Sequence, residues 1–389
     1  MKVTIATLTL AYVLSQFYRA FLAVLAPLLA GDLGIPAEAL AQASGWWFLA
    51  FAAAQLPVGW ALDRIGPRLT VSGLLAVAAV GAALFATAQG TGQINLSMAL
   101  IGTGCSPVLM GSYFIFARMF PPRVFGSLAG MVIGVGSLGN LAASAPLAWA
   151  AASLGWRGAI WGLAAITLLA AGIIAAVVRD PPRVPVRGEG SIFTLLAMPR
   201  LWPVLAMMAA SYAPAAGLRG LWVGPYAAEV FAADAATIGW VTLAMGLAMV
   251  AGNFAYGPLE RLFGTRKWLN FAGNALLLIC LLALALTAGR SLALSAVLLA
   301  GVGFFGSSFP MVMAHGRAFL PPALVGRGVT LMNLFGIGVA GLMQMATGQI
   351  HAALPGDPRS AAFTALFLAY GALVALGLAL YLPAQDRTD

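Results

Sequence analysis

Apolar stretches of about 20 residues recur along the whole chain, which is the length that a helix needs to cross the hydrocarbon core of a bilayer. Apolar residues make up 62% of the 389 residues and charged residues only 8%. A soluble domain carries roughly 25% charged residues. A soluble fold could not remove this much apolar surface from water, so the sequence predicts an all-α membrane protein.

Twelve such stretches can be drawn, separated by loops that contain glycine, proline and charge. The predicted spans are 4–30, 43–62, 69–88, 94–117, 124–150, 157–178, 201–228, 236–256, 268–288, 292–316, 325–349 and 361–382. The longest internal loop, 179–197, contains prolines, glycines and several charges and is predicted to be a cytoplasmic linker. We therefore expect two six-helix bundles, 1–178 and 198–389.

Lysine and arginine are unevenly distributed over the predicted loops. If the N-terminus is placed in the cytoplasm, the outer loops contain Arg157, Arg290 and Arg359, and all other loop arginines and lysines are on the inner side. This is the positive-inside pattern of membrane proteins. It predicts a multi-pass protein of a bacterial-type inner membrane with both termini in the cytoplasm. It also explains the net charge of +9 without nucleic acid as a partner.

The two halves contain matching residues at an offset of 199 or 200 positions. The matched pairs are Tyr12 and Tyr212, Arg19 and Arg219, Gly102 and Gly301, and Arg118 and Arg317. Each match is weak by itself, but the shared offset indicates an internal repeat. Parallel repeats related by an axis along the membrane normal are one of the main designs of secondary transporters.

The turn between the second and third spans reads GWALDRIGPR, from Gly59 to Arg68. It resembles the signature of the major facilitator superfamily, which lies at the same place between the second and third helices. The resemblance extends over the chain, through the twelve spans, the repeat of six helices and the central loop. It implies two pseudo-symmetric bundles that rock about a central cavity, so that transport proceeds by alternating access.

The resemblance also implies a role for this turn. Asp63 is similar to the superfamily residue that latches the two bundles on the cytoplasmic side, and its expected partner is Arg118 near the end of the fourth span. The predicted gating and latch residues are Asp63, Arg64, Arg68, Arg118, Gly59 and Gly66. The alternative is that these charges only form a solvated turn and anchor the span ends.

Arg19 and Arg219 are the only charged residues near the middle of a predicted span. An arginine at this depth costs roughly 2.5–3.5 kcal/mol on insertion scales. Neither side chain can easily snorkel to the interface over the remaining length of helix, and the sequence places no carboxylate at that depth. Both arginines are therefore predicted to face a polar cavity, where their mutual repulsion falls when an anion enters.

The guanidinium fork matches phosphate and carboxylate oxygens. The predicted cargo is therefore a small organic anion, such as a carboxylate, a phosphate ester or a phosphonate. Paired arginines on the first and seventh helices resemble the organophosphate exchangers of the superfamily, and this likeness extends to Arg19 and Arg219 only. The alternatives are an inorganic anion such as nitrate, a polyspecific efflux pump, and a receptor with a transporter fold.

Aromatic and polar residues share helix faces with the two arginines or lie in other spans. The predicted substrate-binding residues are Arg19, Arg219, Tyr12, Tyr212, Gln16, Trp222, Tyr226 and Tyr113. These side chains could donate hydrogen bonds to a substrate or stack on it. Interfacial placement and packing between helices explain them equally well.

The sequence leaves the energy source open. Proton-driven carriers usually place an aspartate or glutamate within a span, and none lies there by these boundaries. Anion exchange and proton-coupled symport are both expected possibilities, with His315 as a candidate for proton coupling, and His351 is expected in an outer loop. The sequence contains no nucleophile–base pair, metal-ligand cluster or phosphate-binding loop. It therefore predicts a monomer in the lipid bilayer that acts on a small anionic substrate, without enzyme activity, cofactor or metal.

Overall fold

The computed structural model describes residues 2–120, 122–182, 192–321, 324–356 and 358–387. Within these ranges the regular secondary structure is helical throughout, with no strand. Seventeen α-helices lie in this part of the chain. They are α1 (Lys2–Phe17), α2 (Leu22–Leu33), α3 (Ala37–Arg64), α4 (Pro67–Ala86), α5 (Thr91–Cys105), α6 (Pro107–Met119), α7 (Pro122–Ala142), α8 (Ala145–Val177), α9 (Ile192–Leu196), α10 (Trp202–Gly217), α11 (Val223–Phe231), α12 (Ala235–Phe263), α13 (Lys267–Thr287), α14 (Leu292–Phe305), α15 (Phe309–Arg317), α16 (Val325–Ala353) and α17 (Ser360–Tyr381).

Ten helical segments of the described residues are long and apolar enough to cross a membrane, and the bent pair α1 and α2 supplies an eleventh. A shorter apolar helix, Gly130–Ala142, lies in α7. The fifth predicted span is interrupted after α7 and resumes in α8, and Gly155, with a φ of 72°, then separates it from the sixth. These segments account for the twelve predicted spans, and the predicted all-α membrane fold is confirmed.

The chain divides into two compact units, Met1–Pro185 and Val186–Asp389. The first contains α1 to α8 and the second α9 to α17. The predicted linker 179–197 includes this boundary, and its residues 183–191 lie outside the described ranges.

Small residues allow close helix packing within the first unit. A Cβ atom added at Gly139 of α7 would overlap the carbonyl oxygen of Val13 in α1, and one added at Gly102 of α5 would overlap the carbonyl of Trp47 in α3. Close backbone approach at small residues is typical of membrane helices, since lipid tails are as apolar as the side chains. Helix packing therefore fixes the segment that leads to Arg19.

Candidate substrate site

Both intramembrane arginines lie where a spanning segment departs from regular α-helical geometry. Arg19 lies in the break between α1 and α2, which are bent by 49° relative to each other. Arg219 lies in a π-helical turn, Leu218–Trp222, between α10 and α11. The sequence had predicted uninterrupted spans at both places. Irregular backbone at membrane depth occurs where it is buried in protein or lines a cavity, and π turns are frequent at functional sites.

The guanidinium of Arg19 lies over two aromatic rings of α3. Its Cζ atom is 5.4 Å from the ring centre of Trp47 and 4.9 Å from that of Phe51. The two rings stack on each other, with centroids 5.2 Å apart and planes inclined at 22°. Cation–π contacts stabilise a cation without cancelling its charge. The sequence analysis missed Trp47 and Phe51, although they lie one turn apart on one face of a helix.

Tyr12 and Gln16, both predicted to contact substrate, contact each other on α1. The side-chain amide of Gln16 donates a hydrogen bond to the Tyr12 hydroxyl at 3.0 Å. Tyr12 also packs against α7 at Gly136, where an added Cβ would overlap its ring. These contacts hold the face of α1 that leads to Arg19.

Two further predicted tyrosines, Tyr113 and Tyr212, are half-buried. Tyr113 lies in α6. The ring of Tyr212, in α10, packs against Phe309 with centroids 4.9 Å apart. Their partial exposure keeps both tyrosines as candidates for substrate contact.

Arg219 is only 2% exposed, and α16 contacts both ends of the π turn that carries it. The side-chain amide of Gln344 donates to the carbonyl oxygen of Gly217 at 3.3 Å. At the other end, the indole N–H of Trp222 donates to the hydroxyl of Thr347 at 2.9 Å. Side chains of a neighbouring helix thus satisfy groups at both ends of the interruption, as irregular helices in membranes require.

Trp222 and Tyr226 are almost fully buried among aromatic residues of the second unit. The Tyr226 hydroxyl forms a hydrogen bond with the Ser295 hydroxyl at 2.9 Å, and both aromatic rings contact Phe363. The polar atoms of both residues, which were predicted to bind substrate, therefore form hydrogen bonds within the second unit. We do not include them among the residues proposed to touch substrate.

The predicted latch residues lie in and around the turn between α3 and α4. Oδ1 of Asp63 is 3.6 Å from Nη2 of Arg118, the partner that the resemblance implied. The Arg118 guanidinium also lies 4.3 Å from the ring centre of Phe114 and donates to the carbonyl oxygen of Pro182 at 3.5 Å. This network joins α3, α6 and the segment after α8 within the first unit. Gly59 and Arg64 lie in the last turns of α3.

Two aspartates that the sequence analysis left unassigned occupy matching places in the two units. Asp180, after α8, accepts a hydrogen bond from the backbone N–H of Arg68 at 2.7 Å. Asp386, after α17, accepts from the backbone N–H groups of Arg266 and Lys267 at 3.2 and 3.0 Å. Each unit thus places a carboxylate at the N-terminus of α4 or α13, where the helix dipole favours negative charge. The signal in the sequence was an acidic residue just after the sixth and twelfth spans.

The carboxylate of Asp386 also accepts a hydrogen bond from the hydroxyl of Thr265. Burial opposes ionisation of this carboxyl, but the hydrogen bonds from Thr265 and from the two backbone N–H groups outweigh it. They hold the pKa of Asp386 below its ordinary value.

His315 is buried in α15, and both of its ring nitrogens have hydrogen-bond partners. Nε2 donates to the carbonyl oxygen of Gln385 at 2.9 Å, because a carbonyl can only accept. In the neutral ring Nδ1 then accepts from the hydroxyl of Tyr381 at 2.6 Å, which in turn accepts from the Asn270 amide at 3.3 Å. These bonds attach the segment after α17 to the second unit, so His315 has a structural role besides the predicted proton coupling.

His351 was expected in an outer loop, and this expectation is wrong. It lies in the last turn of α16 and is 5% exposed. Its Nε2 atom is 3.2 Å from Oε2 of Glu229. The error arose because the apolar pattern of the eleventh span weakens toward its end, whereas the helix continues for one more turn.

Spanning helices in two compact units, with basic residues on interrupted helices, define this protein as a multi-span membrane transporter. Residues 8–220 match the family model of the Major Facilitator Superfamily. The match covers more than half of the chain, and the chain belongs to this superfamily. The family consists of transporters, so the protein is a transporter and not an enzyme.

Two curated relatives are nitrate/nitrite transporters named NrtP. The protein from Picosynechococcus sp. is 39% identical over 87 residues, which are 22% of this chain and 16% of the relative. The protein from Nostoc punctiforme is 34% identical over 138 residues, which are 33% of this chain and 27% of the relative. The matches therefore cover only a minor part of the length of these relatives.

Solved transporter structures share the fold over almost the whole chain. A bacterial homolog of the human lysosomal transporter Spinster, inward-facing and unoccupied, superposes with a TM-score of 0.79 at 17% identity and covers 97% of this chain and 95% of that one. A D-xylose–proton symporter gives 0.78 at 13% identity, with 100% and 98% covered. Identities this low establish the fold alone.

Proposed function

We propose that this protein is a secondary transporter of a small anion and that Arg19 and Arg219 together bind that anion. The observation that carries the proposal is their matching placement. The two arginines are 200 positions apart in an internal repeat, and each lies on a non-α-helical segment of a span. Interrupted helices are where secondary transporters commonly build substrate and ion sites.

The distribution of negative charge supports this proposal. Each carboxylate of the described residues lies in the first or last turn of a helix or just beyond one. These residues are Asp32, Glu38, Asp63, Asp180, Glu229, Asp234, Glu260 and Asp386. Two guanidinium groups that bind one anion repel each other when that anion is absent. An anion bound by both removes this repulsion and accepts charge-assisted hydrogen bonds.

Two classes of anion fit this site. A small organic anion with carboxylate or phosphate oxygens suits bidentate binding by guanidinium groups. A nitrate-like inorganic anion is the second candidate, because both curated relatives are named for nitrate and nitrite. The stacked rings of Trp47 and Phe51 are buried and lie against the Arg19 guanidinium, so they would orient the arginine for either class of anion.

The transporter acts as an exchanger or a proton-coupled symporter, as a monomer in a bacterial-type inner membrane. Both termini lie in the cytoplasm, and the Asp63–Arg118 pair contributes to closure on that side.

Counterflow in proteoliposomes tests the proposal. Vesicles loaded with nitrate, nitrite, phosphate or glycerol 3-phosphate should take up the labelled form of at least one of them. Arg19→Gln and Arg219→Gln should each lower the rate by about tenfold or more, because each removes hydrogen bonds to a charged group. Arg157→Gln is the matched control, because this arginine lies 3.4 Å from Asp32 at a helix end.

Counterflow of these anions that survives both substitutions would contradict anion binding by Arg19 and Arg219. Transport limited to hydrophobic cations would contradict it as well. The assay also separates a carrier from a receptor, because a receptor binds labelled anion without moving it.

A further inference from the structure

A titratable pair lies at the end of α16, outside the proposed anion site. Nε2 of His351 is 3.2 Å from Oε2 of Glu229, which projects from the last turn of α11. Nη1 of Arg359, just before α17, is 3.9 Å from the same carboxylate oxygen. The His351 side chain is 5% exposed and that of Glu229 is 27% exposed. The partly exposed carboxylate of Glu229 thus connects the buried imidazole of His351 to water, so that a proton can pass between them.

The imidazole of His351 packs directly on the residue that ends the π turn. Its ring centroid is 5.2 Å from that of Trp222, with the planes inclined at 39°. The ring of Phe363 is also 5.2 Å away and meets the imidazole edge to face. A change in the charge or position of His351 therefore acts on Trp222, three residues after Arg219.

A second connection runs along α16. Gln344, Thr347 and His351 lie three and four residues apart, so they share one face of the helix. Gln344 donates a hydrogen bond to one end of the π turn, and Thr347 accepts one from the other end. His351 contacts Glu229. One helix face thus joins the titratable pair to both ends of the turn that carries Arg219.

Few other charged groups surround the pair in the described part of the chain. Glu229 faces it from α11 and Arg359 from the start of α17. Arg290 is exposed on the turn after α13, whose Gly289 packs near Val230 and Ser360. Asp357 lies outside the described residues.

We propose that Glu229 and His351 form the proton-binding site of this transporter and that α16 couples it to the turn carrying Arg219. This inference rests on the proposed function and specifies its energy source as proton-coupled symport. Without a bound proton the pair is a neutral imidazole beside a carboxylate. One proton taken from water converts it to an imidazolium–carboxylate pair, and the same proton returns to water on the other side of the membrane. His351 fits this role better than His315, because His351 faces the carboxylate of Glu229, whereas the ring nitrogens of His315 face a carbonyl and a hydroxyl.

The test uses wild-type protein in proteoliposomes with nitrate and, in parallel, glycerol 3-phosphate as probes. One proton carried with each monovalent anion lets a gradient of one pH unit support about tenfold accumulation. We expect wild type to approach this value with at least one probe. His351→Gln and Glu229→Gln should abolish the accumulation, with isotopic exchange at equal pH reduced by a much smaller factor. Glu229→Asp retains a carboxylate and should recover part of the accumulation.

Asp32→Asn is the matched control, because it neutralises a carboxylate paired with an arginine in the other unit. Gradient-driven accumulation that persists in both His351→Gln and Glu229→Gln would overturn the proton site. Equal loss of exchange and accumulation in both variants would also overturn it, because that result indicates a structural role. Failure of wild type to exchange either probe would instead contradict the proposed anion transport.

Discussion

The indole N–H of Trp222 donates a hydrogen bond to the hydroxyl of Thr347 at 2.9 Å, and this bond joins the π turn that carries Arg219 to α16. The bond is fully buried, as is the second contact of the turn, from Gln344 to the Gly217 carbonyl. Lipid offers no hydrogen bonds to an interrupted helix, so protein side chains must supply them. The position of Arg219 therefore depends on a helix more than a hundred residues away in sequence.

Thr347→Val should destabilise the protein by about 1 kcal/mol, because it leaves the buried indole N–H of Trp222 without its acceptor. Thermal unfolding in detergent measures the effect. Thr242→Val is the matched control, because this threonine is equally buried and its hydroxyl donates only to carbonyls of its own helix. Equal losses of stability in the two variants would contradict the role assigned to the bond.

Gly66→Ala should destabilise the protein by about 1–3 kcal/mol, because its backbone conformation is open essentially to glycine alone. Gly66 has a φ of 105° and a ψ of 156°, and an added Cβ would overlap the carboxylate of Asp180. Gly59 belongs to the same signature, but an added Cβ there meets no atom within 4 Å. In the same thermal assay Gly59→Ala should be close to neutral, so a similar loss at both glycines would be evidence against this account.

Asp386→Asn should lower stability at neutral pH and have a progressively smaller effect in acid. The folded protein holds the pKa of Asp386 below its ordinary value of 3.8. A carboxyl with a depressed pKa stabilises the fold above its unfolded pKa, and this contribution is lost as the pH falls through the folded pKa. Thermal unfolding between neutral pH and pH 3 should show the two proteins converging below about pH 4. Gln385→Ala, at an exposed neighbouring position, should give a constant offset or none, and a constant offset in Asp386→Asn would disprove the linkage.

The sequence predicted the fold well because each apolar stretch must form a helix in lipid, whatever its neighbours are. The internal repeat likewise predicted matching positions for Arg19 and Arg219. The break at Arg19 and the π turn at Arg219 were not predicted, since both depend on tertiary contacts such as the one from Gln344 to Gly217.

The environment of each side chain also depends on tertiary contacts, so the sequence did not predict it. Helical spacing placed Trp222 on the face of Arg219, but it could not show that the indole binds Thr347. Periodicity also could not reveal that Trp47 and Phe51, on another helix, support the Arg19 guanidinium. Such contacts bring together residues that are distant in sequence, and a single sequence carries no record of them.

Phe51→Leu should weaken anion binding about fivefold, because it removes a ring that holds the Arg19 guanidinium and is worth about 1 kcal/mol. Titration of the transported anion against protein stability or intrinsic fluorescence measures the affinity. Trp46→Leu is the control, since Trp46 lies on the same helix and is 47% exposed. Unchanged affinity in Phe51→Leu, in a protein that remains folded, would remove the aromatic rings from the site.

Anion-dependent thermal stabilisation of wild type, Arg19→Gln, Arg219→Gln and the double variant tests the central claim most directly. We predict that nitrate or a small organic anion raises the melting temperature of wild type. Each single substitution should abolish most of that shift, and the double variant should lose little more, because the proposed function requires both arginines for one bound anion. A full shift in either single variant, or two independent and additive partial losses, would contradict the shared anion site.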